Sequence, residues 1–364
     1  MSKDPILAEF WNSLSTLKPD KDNIINFTVR PDDFPDLAEV LYIRQSYMDL
    51  FNIILDHLNK RKNFGGMAIT GTPGIGKSVF LFYIMWRLSQ MESTKAVILH
   101  RQKDNGQIFV FQKNNFWVAC DKRDILHLLR NSSTWYLTDS LNPPSGEVKA
   151  VTILVASPSR DLYKDFLKYS RTVSIPYYLP VWSLEELNIV SKWYKRSKKD
   201  VEERYCLIGG IPRFVLEMDD VENLRILIQD SVGRLDIEKF MQIAGGTIEK
   251  EDKISHSIVH FEVDTTTEKK YLEKKLCMAS KYITDMALER FVNHQYEELK
   301  NFLATASRLD SVSSCRGNLF ESFAHRLLAA GGEFAVRSLN GEKVTKKLII
   351  PQLTIDKFFD ISKC

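Results

Sequence analysis

Eight consecutive residues follow the pattern glycine, any four residues, glycine, lysine and serine, which suits the binding of phosphate groups. They are Gly71, Thr72, Pro73, Gly74, Ile75, Gly76, Lys77 and Ser78. The glycines let the backbone curl so that successive amides point at phosphate oxygens, and the helix that follows adds its positive end. Lys77 is placed to reach the β- and γ-phosphates, and the Ser78 hydroxyl to bind Mg²⁺. The pattern predicts a site for a magnesium nucleotide, with ATP expected.

A second acidic group is needed, because a phosphate loop alone does not hold the metal for hydrolysis. Asp139 follows the apolar run Trp135–Leu137 and lies 61 residues after Ser78. We predict that Asp139 holds magnesium; the alternative is an aspartate that only ends a strand. The next residue is Ser140, where many ATPases of this kind carry a glutamate that polarises the attacking water. The sequence therefore leaves open whether hydrolysis is fast.

Two further polar residues are candidates for contact with the γ-phosphate. Ser157 follows the run Val151–Ala156, and the carboxyl ends of parallel strands line the ligand crevice of such sheets. Ser157 is therefore a candidate sensor, with helix capping as the alternative. Arg213 follows the turn-forming pair Gly209-Gly210 and is expected on the first turn of a helix. There it either reaches over the phosphates or is simply solvated.

The elements that must position these residues are short apolar runs alternating with amphipathic stretches. This alternation predicts an α/β fold, in which helices cover both faces of a mostly parallel sheet. Helices are expected over 46–60, before the phosphate-binding residues, and over 77–88, directly after them. The predicted strands are Met67–Thr70, Ala96–Leu99, Ile108–Phe111, Phe116–Ala119, Trp135–Leu137, Val151–Ala156 and Thr172–Ile175.

The chain divides by pattern into five parts. We interpret 1–60 as an irregular lead-in and a helix, 61–180 as the nucleotide-binding core, 181–245 as a helical lid, 246–316 as a helical linker region, and 317–364 as a short α+β segment. Ser183 and Glu186 have the spacing of a capping box at the start of the lid. The polar stretch from Gly245 to Lys270 predicts a loose connection.

Composition narrows the class of protein. The 364 residues are 44% hydrophobic and 27% charged with a net charge of +3, which is typical of a soluble globular protein without a chain-wide attraction to nucleic acid. Five scattered cysteines without a C-x-x-C pair favour free thiols in a reducing compartment. The chain shows neither a signal-peptide pattern nor an apolar run long enough to span a bilayer. We expect an intracellular protein, cytoplasmic or nuclear, with no membrane partner.

One local cluster of basic residues could contact nucleic acid phosphates or act as a nuclear import signal. It consists of Lys192, Lys195, Arg196, Lys198 and Lys199, interleaved with Trp193 and Tyr194. The alternative, which we favour, is a solvated helix end where cations complement the helix dipole.

Five stretches in a fixed order make a more specific pattern than the phosphate-binding residues alone. They are Tyr42–Tyr47, Ile69–Ser78, Ile153–Pro158, Gly209–Phe214 and Gly317–Glu321. This set resembles the NTPase module shared by the Crinkler effector proteins of oomycetes and fungi and the trypanosome retrotransposon hot spot proteins. The likeness covers about residues 40 to 340. It implies an ASCE-type ATPase related to the AAA and STAND groups, and it gives Arg213 the role of a lid arginine.

The resemblance also raises expectations about the parts around the ATPase. A nuclease-like domain often follows it in this family, and the segment 317–330 resembles the opening helix of that domain. Because this chain stops at Cys364, before a nuclease metal site would be complete, we expect no nuclease activity from it. The family's ubiquitin-like header and translocation motif are not visible here. If the protein is an effector, we expect secretion and action in the nucleus of a host cell.

Three functions remain open from the sequence. The first is an ATPase that hydrolyses Mg-ATP and couples it to conformational change. The second is a nucleotide-dependent switch or interaction module with little hydrolysis, working with a protein partner or as a homo-oligomer, and Ser140 keeps it open. The third is the ATPase part of a DNA-processing nuclease.

Overall fold

The protein is built around one seven-stranded sheet with additions at both ends of the chain. A computed structural model describes residues 5–35, 37–61, 63–104, 106–113, 115–143, 148–159, 161, 163–169, 171–237, 255–304, 313–337 and 345–352.

The N-terminal region begins with a helix, so the prediction of an irregular lead-in is wrong there. Helix α1 (Pro5–Leu14) buries four of its apolar residues, which are Leu7, Phe10, Trp11 and Leu14. Their spacing of three and four places them on one face of a helix. Strands β1 (Ile24–Asn26) and β2 (Val40–Tyr42) pair antiparallel, and helix α2 (Gln45–Lys60) follows as expected.

The central sheet contains β3 (Gly66–Thr70), β4 (Ala96–Arg101), β5 (Ile108–Gln112), β6 (Asn115–Ala119), β7 (Thr134–Asp139), β8 (Val151–Val155) and β9 (Tyr177–Tyr178). Their order is β6-β5-β4-β7-β8-β3-β9. Five strands run parallel, while β5 and β6 form an antiparallel hairpin at one edge. The predicted α/β fold with a mostly parallel sheet is confirmed.

Helices cover both faces of this sheet, because successive apolar residues of its strands point to opposite faces and both sets are buried. In β4, Val97 and Leu99 join the large core formed with α1, α2 and helix α3 (Lys77–Ser89). Ile98 points the other way, into a smaller core with helix α4 (Leu126–Leu129). Burial on both sides explains why the strands appear as continuous apolar runs.

The last predicted strand, Thr172–Ile175, is wrong in position. Thr172 makes only an isolated bridge to Gly66, and the Ile175 side chain is 50% exposed. The edge strand is β9, whose Tyr177 is buried and pairs with the end of β3. The physical reason is burial: the Tyr177 side chain packs in the core, whereas Ile175, two residues earlier, faces solvent.

The lid region, predicted for 181–245, is helical in its described part, 181–237. It contains α5 (Leu184–Val190), α6 (Lys198–Ile208), a π-helical turn (Arg213–Glu217) and α7 (Val221–Gly233). The predicted capping box is present: the Ser183 hydroxyl accepts from the Glu186 amide at 3.2 Å, and the Glu186 carboxylate accepts from the Ser183 amide at 3.0 Å.

The C-terminal third contains α8 (Ser255–Ile258), β10 (Val259–Val263), β11 (Lys274–Met278), α9 (Lys281–His294), α10 (Tyr296–Ala304), α11 (Ser313–Ala330), β12 (Gly332–Arg337) and β13 (Thr345–Ile350). Strands β10 and β11 form an antiparallel unit, which we call the hairpin 259–278. The loose connection predicted for Gly245–Lys270 is therefore wrong over 255–263, which form α8 and β10, and the helical linker predicted for 246–316 is wrong where β10 and β11 lie; residues 245–254 lie outside the described part. In that part, no helix is both long and apolar enough to cross a lipid bilayer.

Candidate functional site

The predicted phosphate-binding residues form a curled loop, which we call the phosphate loop (residues 71–78), between β3 and α3. Gly74 has φ 82° and Gly76 has φ 93°, both in the left-handed region that favours glycine. Gly76 lies directly before α3, so the loop delivers the chain to the positive end of that helix. This is the local geometry that the sequence pattern requires.

Neighbouring groups pack closely around the glycines. The Tyr47 hydroxyl donates to the Gly76 carbonyl oxygen at 2.8 Å, and a Cβ added at Gly76 would lie 2.6 Å from that hydroxyl. Burial raises the pKa of the Tyr47 phenol well above its usual range, so the hydroxyl stays a donor. A Cβ at Gly71 would lie 2.7 Å from the Leu179 carbonyl oxygen. Side chains at these positions would displace the loop.

The side chain of Lys77 folds back onto the phosphate loop. Its ammonium group donates to the carbonyl oxygens of Gly71 at 2.8 Å and Thr72 at 2.9 Å. The positive charge is therefore held within the curl where phosphate oxygens are expected, next to the first turn of α3.

The two predicted magnesium ligands touch each other. The Ser78 hydroxyl donates to Asp139 Oδ2 at 2.5 Å, although 61 residues separate them in the sequence. The Ser140 hydroxyl donates to the other carboxylate oxygen, Oδ1, at 2.9 Å. A hydroxyl and a carboxylate are oxygen ligands of the kind that Mg²⁺ prefers, so this donor set fits the metal.

Ser157 lies at the carboxyl edge of the sheet, two residues after the end of β8. Strand β8 lies between β3, which carries the phosphate loop, and β7, which ends in Asp139. The position suits a residue that contacts the γ-phosphate, and that role stays a prediction.

Arg213 lies beside the phosphate loop. A Cβ at Gly74 would be 3.2 Å from the Arg213 Cβ and 3.0 Å from a methyl carbon of Ile211. The Arg213 side chain is exposed, and its guanidinium makes no hydrogen bond or ion pair with the rest of the described chain. The lid thus brings a free cation next to the loop, which is what a phosphate contact needs.

The turn before Arg213 is held against the segment that enters the lid. The Trp182 amide donates to the Gly210 carbonyl oxygen at 2.9 Å. A Cβ at Gly210 would lie 1.8 Å from the Trp182 carbonyl oxygen, so only glycine fits. The Trp182 indole in turn donates to the Ile75 carbonyl oxygen at 2.9 Å and links this turn to the phosphate loop.

Arg44 is a structural member of the site whose role the sequence did not reveal. Its guanidinium binds both Glu186 carboxylate oxygens at 2.9 Å and the carbonyl oxygens of Pro180 and Val181. It also lies 4.8 Å from the Trp182 ring centre, and its side chain is 1% exposed. Such bidentate pairing fixes α2 to the first helix of the lid. Arg44 lies within one of the family-like stretches, and Glu186 within the capping box, but no local pattern joins them.

A second contact that was not predicted joins the hairpin 259–278 to the phosphate loop. The Phe261 amide donates to the Thr72 hydroxyl oxygen at 3.2 Å. Thr72 is buried, so this bond crosses a packed interface between the phosphate loop and β10. The C-terminal third therefore supports the loop directly.

The basic cluster divides in the structure. Arg196 turns inward: it donates to the carbonyl oxygens of Leu216 and Asp219, both at 3.2 Å, and to that of Met218. The other members, Lys192, Lys195, Lys198 and Lys199, are exposed. Lys198 and Lys199 lie on the first turn of α6, so the expectation that cations complement a helix C-terminus is wrong for them. A nucleic acid contact through the four lysines stays a prediction.

Comparison with known proteins adds two relatives. No protein-family model matches the chain. Crinkler effector protein 16 of Phytophthora infestans is 28% identical over 313 residues, which are 83% of this chain and 48% of that protein. Crinkler effector protein 15 of the same organism is 28% identical over 314 residues, 82% of this chain and 48% of that protein. The chain spans about half the length of these curated relatives. The resemblance to the Crinkler proteins is confirmed.

A solved structure also aligns with the chain. The RuvB Holliday junction branch migration motor of Thermotoga maritima aligns over 84% of this chain and 92% of that one, with 11% identity and a TM-score of 0.31.

Proposed function

Starting from the relationship to the Crinkler effector proteins, we propose that this chain is an ATPase that binds and hydrolyses Mg-ATP and couples it to movement of the lid. The observation that carries the proposal is the hydrogen bond between Ser78 and Asp139. A glycine-rich turn without a function would not be expected to have the carboxylate of a distant strand end bonded to its serine. A magnesium site explains the contact, because both oxygens would bind the same ion.

Each residue has a defined part in the proposed reaction. The amides of the phosphate loop and the Lys77 ammonium bind the β- and γ-phosphates, and the start of α3 adds its dipole. Ser78 and Asp139 hold Mg²⁺, which when bound supplies positive charge that stabilises the transferring phosphoryl group. Ser157 and Arg213 contact the γ-phosphate from β8 and from the lid. Catalysis of this kind rests on positioning and charge stabilisation.

The experiment is a nucleotide-binding titration followed by a phosphate-release assay. ATP binding should tighten when Mg²⁺ is added, and the Asp139→Asn variant should lose that gain. Phosphate release above the rate of the Asp139→Asn variant supports hydrolysis. If neither ATP nor GTP binds with or without Mg²⁺, the proposal is wrong.

A second function is supported by Ser140. Its hydroxyl hydrogen is directed to Asp139, and it stands where a water-polarising glutamate is expected. This favours the nucleotide-dependent switch, in which ATP binds and hydrolysis is slow. Tight Mg-ATP binding without phosphate release above background would select the switch over the ATPase.

We also propose a location for the protein and a partner for it. The relatives are named effectors, and if this chain is an effector too, we propose that it is secreted and acts in the nucleus of a host cell. The four exposed lysines on the lid support a test of nucleic acid binding. Phosphate release measured with and without double-stranded DNA would detect that partner, and would also test the DNA-processing alternative.

A further inference from the structure

Ser140 has an unusual backbone conformation for a residue with a side chain. Its φ is 59°, in the left-handed region, which a Cβ disfavours. The turn is held by the sheet, since the Ser140 amide donates to the carbonyl oxygen of Val155, the last residue of β8, at 2.9 Å. Strained conformations of this kind persist only where the surroundings impose them, and they concentrate at functional sites.

This conformation places the Ser140 hydroxyl on the carboxylate of the preceding residue. The hydroxyl donates to Asp139 Oδ1 at 2.9 Å, while Oδ2 accepts from Ser78 at 2.5 Å. Each carboxylate oxygen thus has its own hydroxyl donor, on opposite sides. With both oxygens bound, rotation of the carboxylate is restricted and Oδ2 stays directed at Ser78.

We infer that Ser140 is a positioning residue of the magnesium site, which orients Asp139 toward the ion rather than acting on the attacking water. A serine hydroxyl carries one hydrogen, and here that hydrogen is given to Asp139. The inference rests on the proposed function, because the ion is the one bound with the nucleotide. Groups that orient metal ligands through hydrogen bonds commonly change metal affinity 10- to 100-fold when removed.

Two variants separate the hydrogen bond from the backbone strain. Ser140→Gly removes the hydroxyl and relieves the left-handed conformation, whereas Ser140→Ala removes the hydroxyl and keeps the Cβ. Binding of a fluorescent ATP analogue is measured as a function of free Mg²⁺ for both variants, for the unchanged protein and for Asp139→Asn. Thermal unfolding of each protein is recorded without nucleotide.

We expect both Ser140 variants to need about tenfold more free Mg²⁺ for half-maximal tightening of nucleotide binding. Binding in EDTA should match the unchanged protein, and Ser140→Gly should unfold at the same or a higher temperature. If Ser140→Gly keeps the original Mg²⁺ requirement, the residue shapes only the turn and the inference is overturned, whatever Ser140→Ala does. If the unchanged protein binds no nucleotide, the proposed function itself fails and this inference with it, so the two failures are distinct.

Discussion

The proposed metal and phosphate centre, formed by Lys77, Ser78 and Asp139, and the lid arginine, Arg213, belong to neighbouring regions that differ in how their charges are satisfied. At the centre, Lys77 donates to two loop carbonyls, and Ser78 and Asp139 bind each other. On the lid, Arg213 lies beside Gly74 with an exposed guanidinium that makes no hydrogen bond or ion pair within the described part of the chain. The polar groups of the first region bond to one another, whereas Arg213 has no bonding partner within the described part of the chain.

This difference indicates separate tasks. Groups held in place before a ligand arrives lower the barrier because they need little rearrangement during the reaction. A free cation on a neighbouring element gains a partner only when the ligand is present, and a ligand shifts a conformational equilibrium only by its differential affinity for the two states. We therefore expect the centre to determine binding and chemistry, and Arg213 to report the nucleotide to the lid.

The largest effect should come from Lys77→Ala, which removes the cation from the centre. We expect ATP binding or turnover to fall below detection, because no other group in the loop supplies that charge. Stability without nucleotide should change by no more than about 1 kcal/mol, since the lysine is only part-buried and the removal of a part-buried polar side chain has a small effect. Calorimetric titration and thermal unfolding measure the two quantities.

Lys60→Ala is the matched control for that variant, because Lys60 is an exposed lysine that pairs with Asp56 on the same helix. It should leave ATP binding unchanged. Normal ATP affinity and turnover in Lys77→Ala would contradict the central assignment of the site.

Asp139→Asn should separate chemistry from binding. The amide keeps the shape of the side chain but loses the charge that attracts Mg²⁺, so we expect phosphate release to drop about 100-fold and nucleotide affinity to fall less. Asp165→Asn, an exposed carboxylate paired with Lys168, is the control. Full activity of Asp139→Asn would mean that the metal is held from another strand.

Gly74→Ala tests the contact between the two regions. The new Cβ would lie 3.0 Å from Ile211 and 3.2 Å from Arg213, and φ at this position is 82°. We expect roughly tenfold weaker ATP binding, because the loop and the lid must move apart, in addition to about 1–2 kcal/mol of backbone strain.

Gly106→Ala provides the control for strain alone, since Gly106 has φ 74° and nothing lies within 4 Å of an added Cβ. The difference between the two variants in ATP affinity and unfolding free energy isolates the effect of the contact. Equal behaviour of both variants would show that the lid does not press on the loop.

Arg213→Ala should have the smallest effect on binding and the clearest effect on the lid. We expect ATP binding to remain measurable, turnover to fall about tenfold, and the protection from proteolysis that ATP gives to residues 200–237 to disappear. Arg234→Ala, an exposed arginine elsewhere on the lid, is the control. Unchanged protection in Arg213→Ala would return the preceding turn to an ordinary interhelical connection.

The phosphate loop and most of the sheet were predictable because their signals are local. The loop pattern fixes its own conformation, and β8 is a β-branched run that forms a buried strand in almost any sheet. Helix α1 is harder to predict: Leu7, Phe10, Trp11 and Leu14 have helical spacing, but the nearby prolines and aspartates favour an irregular segment. In β10, Val259, Phe261 and Val263 alternate with polar residues as a strand requires, but the polar residues around this short run favour a loose connection.

Long-range partners could not be predicted from one sequence. Arg44 and Glu186 are 142 residues apart, and Thr72 and Phe261 are 189 residues apart. Neither pair has a local pattern, because each bond depends on how finished elements pack. Local patterns therefore point to the candidate site residues, while the residues that support them are identified only in the folded chain.

The hairpin 259–278 has a consequence for dividing the protein into fragments. Besides its bond to Thr72, the hairpin contacts β9 and α2 through Tyr271, which lies between its two strands. The Tyr178 amide donates to the Tyr271 carbonyl oxygen at 2.7 Å, and the Tyr271 hydroxyl donates to Asp49 at 2.8 Å. The hairpin thus covers part of the sheet edge at β9 and connects that edge to α2. A fragment that ended with the lid would leave a strand edge open to pairing with other copies, a common route to aggregation. A fragment able to hold a nucleotide in solution should therefore extend at least through Met278.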